Sequence, residues 1–154
     1  MTLDKKAAHY ERLYQQLTEL LQKSNDTIAQ MATISAVLFH KMDTFFWCGF
    51  YRVEADNLVV MPYQGPLACQ LLPKGKGVCW ASVNRNETIV VPDVHDFPDH
   101  IACDSRSNSE IVVPLRNKQG AVIAVLDVDS DKLNSFDDVD ATYLEKIVGL
   151  IHVD

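Results

Sequence analysis

Long hydrophobic runs are missing from this chain, and positive charge is sparse. No stretch approaches the roughly 20 apolar residues of a membrane span, and the opening Met1-Thr2-Leu3-Asp4-Lys5-Lys6-Ala7 has no apolar segment of signal length. A soluble, cytoplasmic protein is therefore expected. Lys and Arg number 14 against 21 Asp and Glu, leaving a net charge of −7. The basic residues are scattered, whereas nucleic acid or an anionic lipid surface would need a concentrated basic face, so neither is expected as the main partner. Composition breaks and low-complexity tracts are absent too. With 47% hydrophobic content, residues 1–154 are expected to form one domain able to bury a core without staples. Cysteine is limited to four residues, and in a cytoplasmic setting stable disulfides are rare. The thiols therefore read as metal ligands, catalytic groups or transient redox pairs rather than as a framework.

Over residues 8–24 the apolar positions Tyr10, Leu13, Tyr14, Leu17, Leu20 and Leu21 recur at three and four, the spacing of one helical stripe. Asn25 or Asp26 can cap a second helix burying Ile28, Met31, Ala32, Ile34 and Leu38 and ending near Lys41-Met42-Asp43. The texture then turns aromatic and β-branched. Residues 45–53 and 58–63, joined by the turn 54–57, read as a hairpin; 88–91, 110–115 and 121–128 read as further strands, the last two paired through the Asn- and Gly-bearing turn 116–120. A short helix fits 77–84, and 92–109 is a long polar loop of the kind that is usually functional. Ser135-Phe136-Asp137-Asp138-Val139-Asp140 supplies a cap and an acidic first turn for a closing helix through Tyr143, Leu144, Ile147, Val148 and Ile151. Three main helices and about five strands predict an α+β sandwich.

Cys69, Cys79 and Cys103 lie in segments punctuated by Gly, Pro and Asp, where core filling does not call for a thiol. A zinc site would want ligands about two to four residues apart and a second close pair. Cys69 and Cys79 are ten positions apart and Cys79 and Cys103 twenty-four, so a structural metal is not expected. A reactive thiol with one or two resolving partners is the remaining layout. Cys103 is the best nucleophile candidate, in a polar, turn-rich run with His100 and Arg106 able to favour its thiolate. Cys48, mid-strand among aromatics, reads as a buried inert thiol. Asp127 and Asp129, two apart on extended chain, share one face of the sheet and can bind an ammonium group or, where burial favours protonation, act as an acid; strand-end capping explains them equally well. Glu110 opens the neighbouring strand and is placed to converge on them.

The runs Trp47-Cys48-Gly49-Phe50-Tyr51, Gly65-Pro66-Leu67-Ala68-Cys69, Gly75-Lys76-Gly77-Val78-Cys79-Trp80-Ala81, His100 through Pro114, and Leu126-Asp127-Val128-Asp129-Ser130 together cover nearly the whole chain. In these runs the sequence resembles the free methionine-(R)-sulfoxide reductases, which are stand-alone GAF-domain enzymes. The resemblance implies a GAF-like α+β fold, with a central antiparallel sheet of about five or six strands flanked by N-terminal helices and a C-terminal helix. It also implies reduction of free L-methionine-(R)-sulfoxide with Cys103 as catalytic thiol, Cys69 and Cys79 as the other redox cysteines, no bound cofactor, and thioredoxin as the usual external reductant. Glu110, Asp127 and Asp129 are then the candidates for protonating the sulfoxide oxygen and binding the substrate ammonium. Trp47 and Tyr51, four apart on one strand face, are candidates for an apolar wall around the methylthio end. The family tends towards dimers, so a homodimer is an expectation as well.

Two rivals accompany this reading. A sensory GAF module would bind a small ligand without turnover, but such modules normally sit beside an output domain, for which this length leaves no room. An enzyme for protein-bound or other sulfoxides is the second, and an acidic site disfavours it because a peptide-bound residue lacks the free ammonium.

Overall fold

The computed structural model describes residues 2–154. Thr2 starts the first helix by accepting a hydrogen bond from the Lys5 amide (3.3 Å), so α1 runs Leu3–Leu20 and begins earlier than the hydrophobic stripe alone predicts. A 3₁₀ turn, Leu21–Lys23, ends it. Asp26 is the cap of α2 (Thr27–Lys41), accepting from the Ala29 amide at 2.9 Å. The buried stripe of α2 differs from expectation. Ile28 is 53% exposed and Ala32 faces solvent, while Gln30 and Ser35 go inside with Met31, Ile34 and Leu38. Burial of the two polar groups is permitted by partners: Gln30 Nε2 donates to the Leu21 and Ser24 carbonyls (3.0 and 2.8 Å), and Ser35 Oγ to the Pro62 carbonyl (3.2 Å). Leu20, expected in the α1 stripe, is 39% exposed.

The strands are β1 (Trp47–Glu54), β2 (Asn57–Gln64), β3 (Leu71–Pro73), β4 (Ile89–Val91), β5 (Ser109–Arg116) and β6 (Val122–Ser130), with α3 (Gly77–Arg85) before β4 and α4 (Asp138–Val148) at the end. Among the described residues these make four α-helices and one six-stranded antiparallel sheet, ordered β3-β2-β1-β6-β5-β4. One strand, β3, was not expected. Its three residues are too few to show alternation, and only pairing of Leu72 with Leu58 of β2 makes them a strand. No helix among the described residues is long and apolar enough to cross a membrane.

Period-two alternation divides the sheet. Cys48 and Phe50 of β1, Ile111, Val113 and Leu115 of β5, and Ala124, Leu126 and Val128 of β6 face α1, α2 and α4 in the larger core. Cys48 is there fully buried, as expected of an inert thiol. The opposite face carries Trp47, Tyr51, Val112 and Val125, packed with Leu72 and with Val78, Cys79 and Trp80 of α3. α1 is tied to α4 by a buried polar knot: Lys6 Nζ meets Asp140 Oδ2 (2.5 Å) and Asp137 Oδ2 (3.2 Å), while the Tyr10 hydroxyl donates to Asp140 Oδ1. Asp137 and Asp140 also form the capping box of α4.

Candidate active site

The floor of the site is the β5–β6 pair on its smaller-core face. Register sets Glu110 opposite Asp129 and Val112 opposite Asp127, so the three carboxyls form one patch across two strands. On the other side of β6, Trp47 of β1 is opposite Asp129 and Gly49 opposite Asp127. Glu110 and Asp127 are each 5% exposed, with Asp129 less deeply buried. Three acids so close in a dry patch resist simultaneous ionisation. Burial above all, then the neighbouring Asp127 and Asp129 charges, raises the Glu110 carboxyl well above its ordinary range. Asp129 is likewise raised well, by burial and then by Asp127. Asp127 is raised by burial but held back by hydrogen bonds from Glu110 and Cys79, which makes it the member of the trio best able to keep a negative charge. Its Oδ1 is buried without a hydrogen-bond partner, an unfilled acceptor on a residue that lines the cavity.

The wall is aromatic. Trp47 stacks on Tyr51 (5.8 Å between centroids) and on Tyr63 of β2 (5.2 Å). Gly49 makes this possible: a Cβ there would lie 2.2 Å from Tyr63 Cβ and 2.9 Å from the Trp47 ring. The same two rings hold the cover segment 65–70, because Trp47 Nε1 donates to the Pro66 carbonyl (3.1 Å) and the Tyr51 hydroxyl to the Cys69 carbonyl (3.0 Å). Val78, Leu72 and Ile101 complete the apolar lining. Sequence reasoning gave these three no role, although Ile101, an aliphatic residue in a mostly polar loop, is itself a signal.

Each cysteine has a different position. Cys69 and Cys103 are joined in a disulfide, Cα atoms 5.4 Å apart, linking segment 65–70 to the 92–108 loop over the cavity mouth. Cys103 is exposed and Cys69 half-buried. Cys79 is in the first turn of α3, the short helix expected over 77–84, and is 4% exposed on the cavity lining. Its thiol is pushed up by burial first and then by Asp127, Glu110 and Asp129.

The two cations expected to favour a Cys103 thiolate are otherwise engaged. Arg106 donates to Asp104 through Nε and Nη2 (3.0 and 2.7 Å) and lies over the Phe46 ring (4.9 Å), drawing the Asp104 carboxyl down to about 2. Half-buried His100 has Nε2 3.7 Å from Glu110 Oε1. Burial, and then His95, lower its proton affinity, so a neutral ring faces a protonated carboxyl rather than an ion pair. Cys103 is exposed where Cys79 is buried.

The resulting cavity is small and opens to solvent at its mouth. Trp47, Tyr51, Cys79, Cys103, Glu110, Asp127 and Asp129 all line it, and Cys69 joins through its disulfide. A thiol pair at the mouth, acids on the floor and an aromatic side wall suit redox chemistry on a small cationic molecule.

Residues 10–153 match the family described as GAF domain. The chain belongs to that family. It is 51% identical over 147 residues to GAF domain-containing protein A of Dictyostelium discoideum, covering 95% of this chain and 92% of that one. It is 41% identical over 144 residues to the free methionine-R-sulfoxide reductase of Escherichia coli, covering 94% and 87% respectively. Among solved structures, the free methionine-R-sulfoxide reductase of Neisseria meningitidis in complex with its substrate superposes with a TM-score of 0.91 at 44% identity, over 96% of this chain and 88% of that one. The GAF fold expected from the sequence is therefore the fold found.

Proposed function

We propose that this GAF domain is a thiol-dependent reductase of free L-methionine-(R)-sulfoxide. The observation that carries the reading is the Cys69–Cys103 disulfide at the mouth of a cavity floored by Glu110, Asp127 and Asp129. Similarity to reductases from E. coli and N. meningitidis supports it and disfavours a purely sensory module.

In this reading the Cys103 thiolate attacks the sulfoxide sulfur. A protonated carboxyl, Glu110 foremost, gives its proton to the oxygen, which passes to the Cys103 sulfur; methionine leaves, two-electron reduced, and a sulfenic acid remains. Cys69 condenses with that acid, expelling water and forming the disulfide. A cytoplasmic dithiol donor of the thioredoxin type takes the disulfide back to two thiols, completing the electron balance. No bound cofactor is required. Asp127, the acid best able to stay ionised, pairs with the substrate ammonium together with Asp129, and Trp47 and Tyr51 enclose the methylthio end. Cys79 remains a thiol on the floor throughout, which departs from its expected redox role. A homodimer is compatible with this scheme and not needed by it.

Dithiothreitol-dependent turnover of free methionine-(R)-sulfoxide, compared with the S epimer and with an N-acetylated analogue, tests the reading. Preference for the free R compound is expected. Turnover of none of the three would return the domain to the ligand-binding class.

A further inference from the structure

Ligand spacing along the chain argues against a metal, but folding assembles donors that are far apart in sequence. Cys79 from α3, Glu110 from β5 and Asp127 from β6 each offer one ligand atom, and the three atoms lie within 4.8 Å of one another, all three residues being buried. A tetrahedral zinc with one sulfur and two oxygens would want these atoms about 3.3–3.5 Å apart, so side-chain rotations of about 1 Å suffice to close the set. A second observation points the same way: Asp127 Oδ1 is buried without a hydrogen-bond partner, on a residue that lines the cavity. One thiolate and two carboxylates on three different rigid elements, with the cavity on the fourth side, are the donors of an open zinc-type site rather than of magnesium or calcium, which take oxygen alone.

We infer that Cys79, Glu110 and Asp127 bind a thiophilic divalent cation, zinc by donor set, and that the bound ion occupies the floor of the cavity and excludes its ligand. Binding displaces the thiol proton and at least one carboxyl proton into solution, so affinity rises with pH. The ion and an ammonium group compete for the same oxygens. Zinc then acts as an off-switch for the reaction, not as a cofactor of it. The switch rests on the reductase reading above, whereas binding itself does not.

The disulfide form of the whole protein separates the two questions, because with Cys69 and Cys103 joined, Cys79 and the core residue Cys48 are the only thiols left. Cobalt(II) is titrated into this form, and the thiolate-to-cobalt charge-transfer band in the near ultraviolet is followed; zinc chloride is then added to displace it. A 1:1 band that zinc abolishes is expected, with proton release in weakly buffered solution. Cys79→Ser should remove the band, Asp127→Asn should weaken affinity at least about tenfold, and Cys48→Ser should change neither. Absence of the band in wild type, or its survival in Cys79→Ser, would overturn the site; should Cys79→Ser fail to fold by circular dichroism, undiminished affinity in Asp127→Asn overturns it instead. In the reduced enzyme, zinc buffered by a chelator should raise the KM for methionine sulfoxide with kcat unchanged. Binding without that competition would sink the switch and leave the metal site; competition without turnover of free sulfoxide in the metal-free enzyme cannot arise, so failure of the reductase reading is seen separately.

Discussion

Among single residues, three thiols in one small domain differ because their surroundings do. Cys103 is exposed, Cys79 sits among buried acids and Cys48 is locked in the helix-facing core, where burial and then Asp127 and Asp129 raise its thiol. After reduction, iodoacetamide at pH 7.5 should label Cys103 at least about 100-fold faster than Cys79 or Cys48, as peptide mapping would read. Equal labelling of Cys79 would mean that the floor is wet. Cys103→Ser should abolish turnover, while Cys69→Ser should retain one rapid turnover per enzyme and lose recycling by thioredoxin. Glu110→Gln should lower kcat by about 10²–10⁴, the range for removing a general acid.

The acids also carry a pH signature. Glu110 and Asp129 hold protons in the folded protein that they would lose when unfolded near their ordinary values of 4.5 and 3.8. The folded state thus binds more protons, and the stability this lends is complete below about pH 4 and falls as pH rises towards the folded values. Unfolding free energy should therefore fall from pH 5 to pH 8, by up to about 1.4 kcal/mol per pH unit for each group, and the thermal midpoint with it. In Glu110→Gln, differential scanning calorimetry should show a flatter profile. A steeper one would mean that Glu110 is ionised in the fold.

At the level of elements, the site depends on how closely β1 and β2 approach. Gly49 sits where their register shifts, and a methyl group there would collide with the Tyr63 Cα at 2.8 Å as well as with its side chain. Backbone cannot step aside as a flexible side chain can. Gly49→Ala should destabilise by about 1–3 kcal/mol or more, readable in urea titrations, and should raise KM by tilting Trp47. On the other face, Asp140 accepts from Lys6 and Tyr10 within the capping box. Asp140→Ala leaves a buried phenol without its acceptor and Lys6 with Asp137 alone, and should lose about 1–3 kcal/mol, with activity at low temperature retained because the knot is across the sheet from the cavity.

Legibility in the sequence followed element length. The eight- and nine-residue strands β1, β5 and β6 announce themselves by texture, and the alternation Val125, Asp127, Asp129 fixes their shared face before any coordinates exist. β3, with three residues, has no pattern to read. Polar Gln30 and Ser35 displaced Ile28 from the buried stripe of α2 because carbonyls of other segments received their hydrogens, a fact that no local window holds. Arg106 likewise was expected beside Cys103, and its bidentate geometry with Asp104 two residues away took it elsewhere.

For the whole molecule, the disulfide is a clamp. It closes 34 residues of chain, enough by loop entropy for about 3–4 kcal/mol of stability that reduction removes. It also joins the two covers of the cavity, residues 65–70 and the loop before β5. Hydrogen exchange in both covers should therefore quicken on reduction while β5 and β6 stay protected. Unchanged exchange in the two forms would mean that closure is independent of the sulfur chemistry.

By itself, the sequence determined the composition of the site: which thiols, which acids and which aromatics, since side-chain chemistry and the period of a strand are local properties. Tertiary structure alone decided their distances. Glu110 meets Asp129 only through the β5–β6 register, Cys69 reaches Cys103 only because two covers cross the same mouth, and Cys79 faces Asp127 only because α3 packs on that side of the sheet. Proton affinities follow from those distances and from exclusion of water, which is why the chemical roles of residues so plain in sequence depend on the fold.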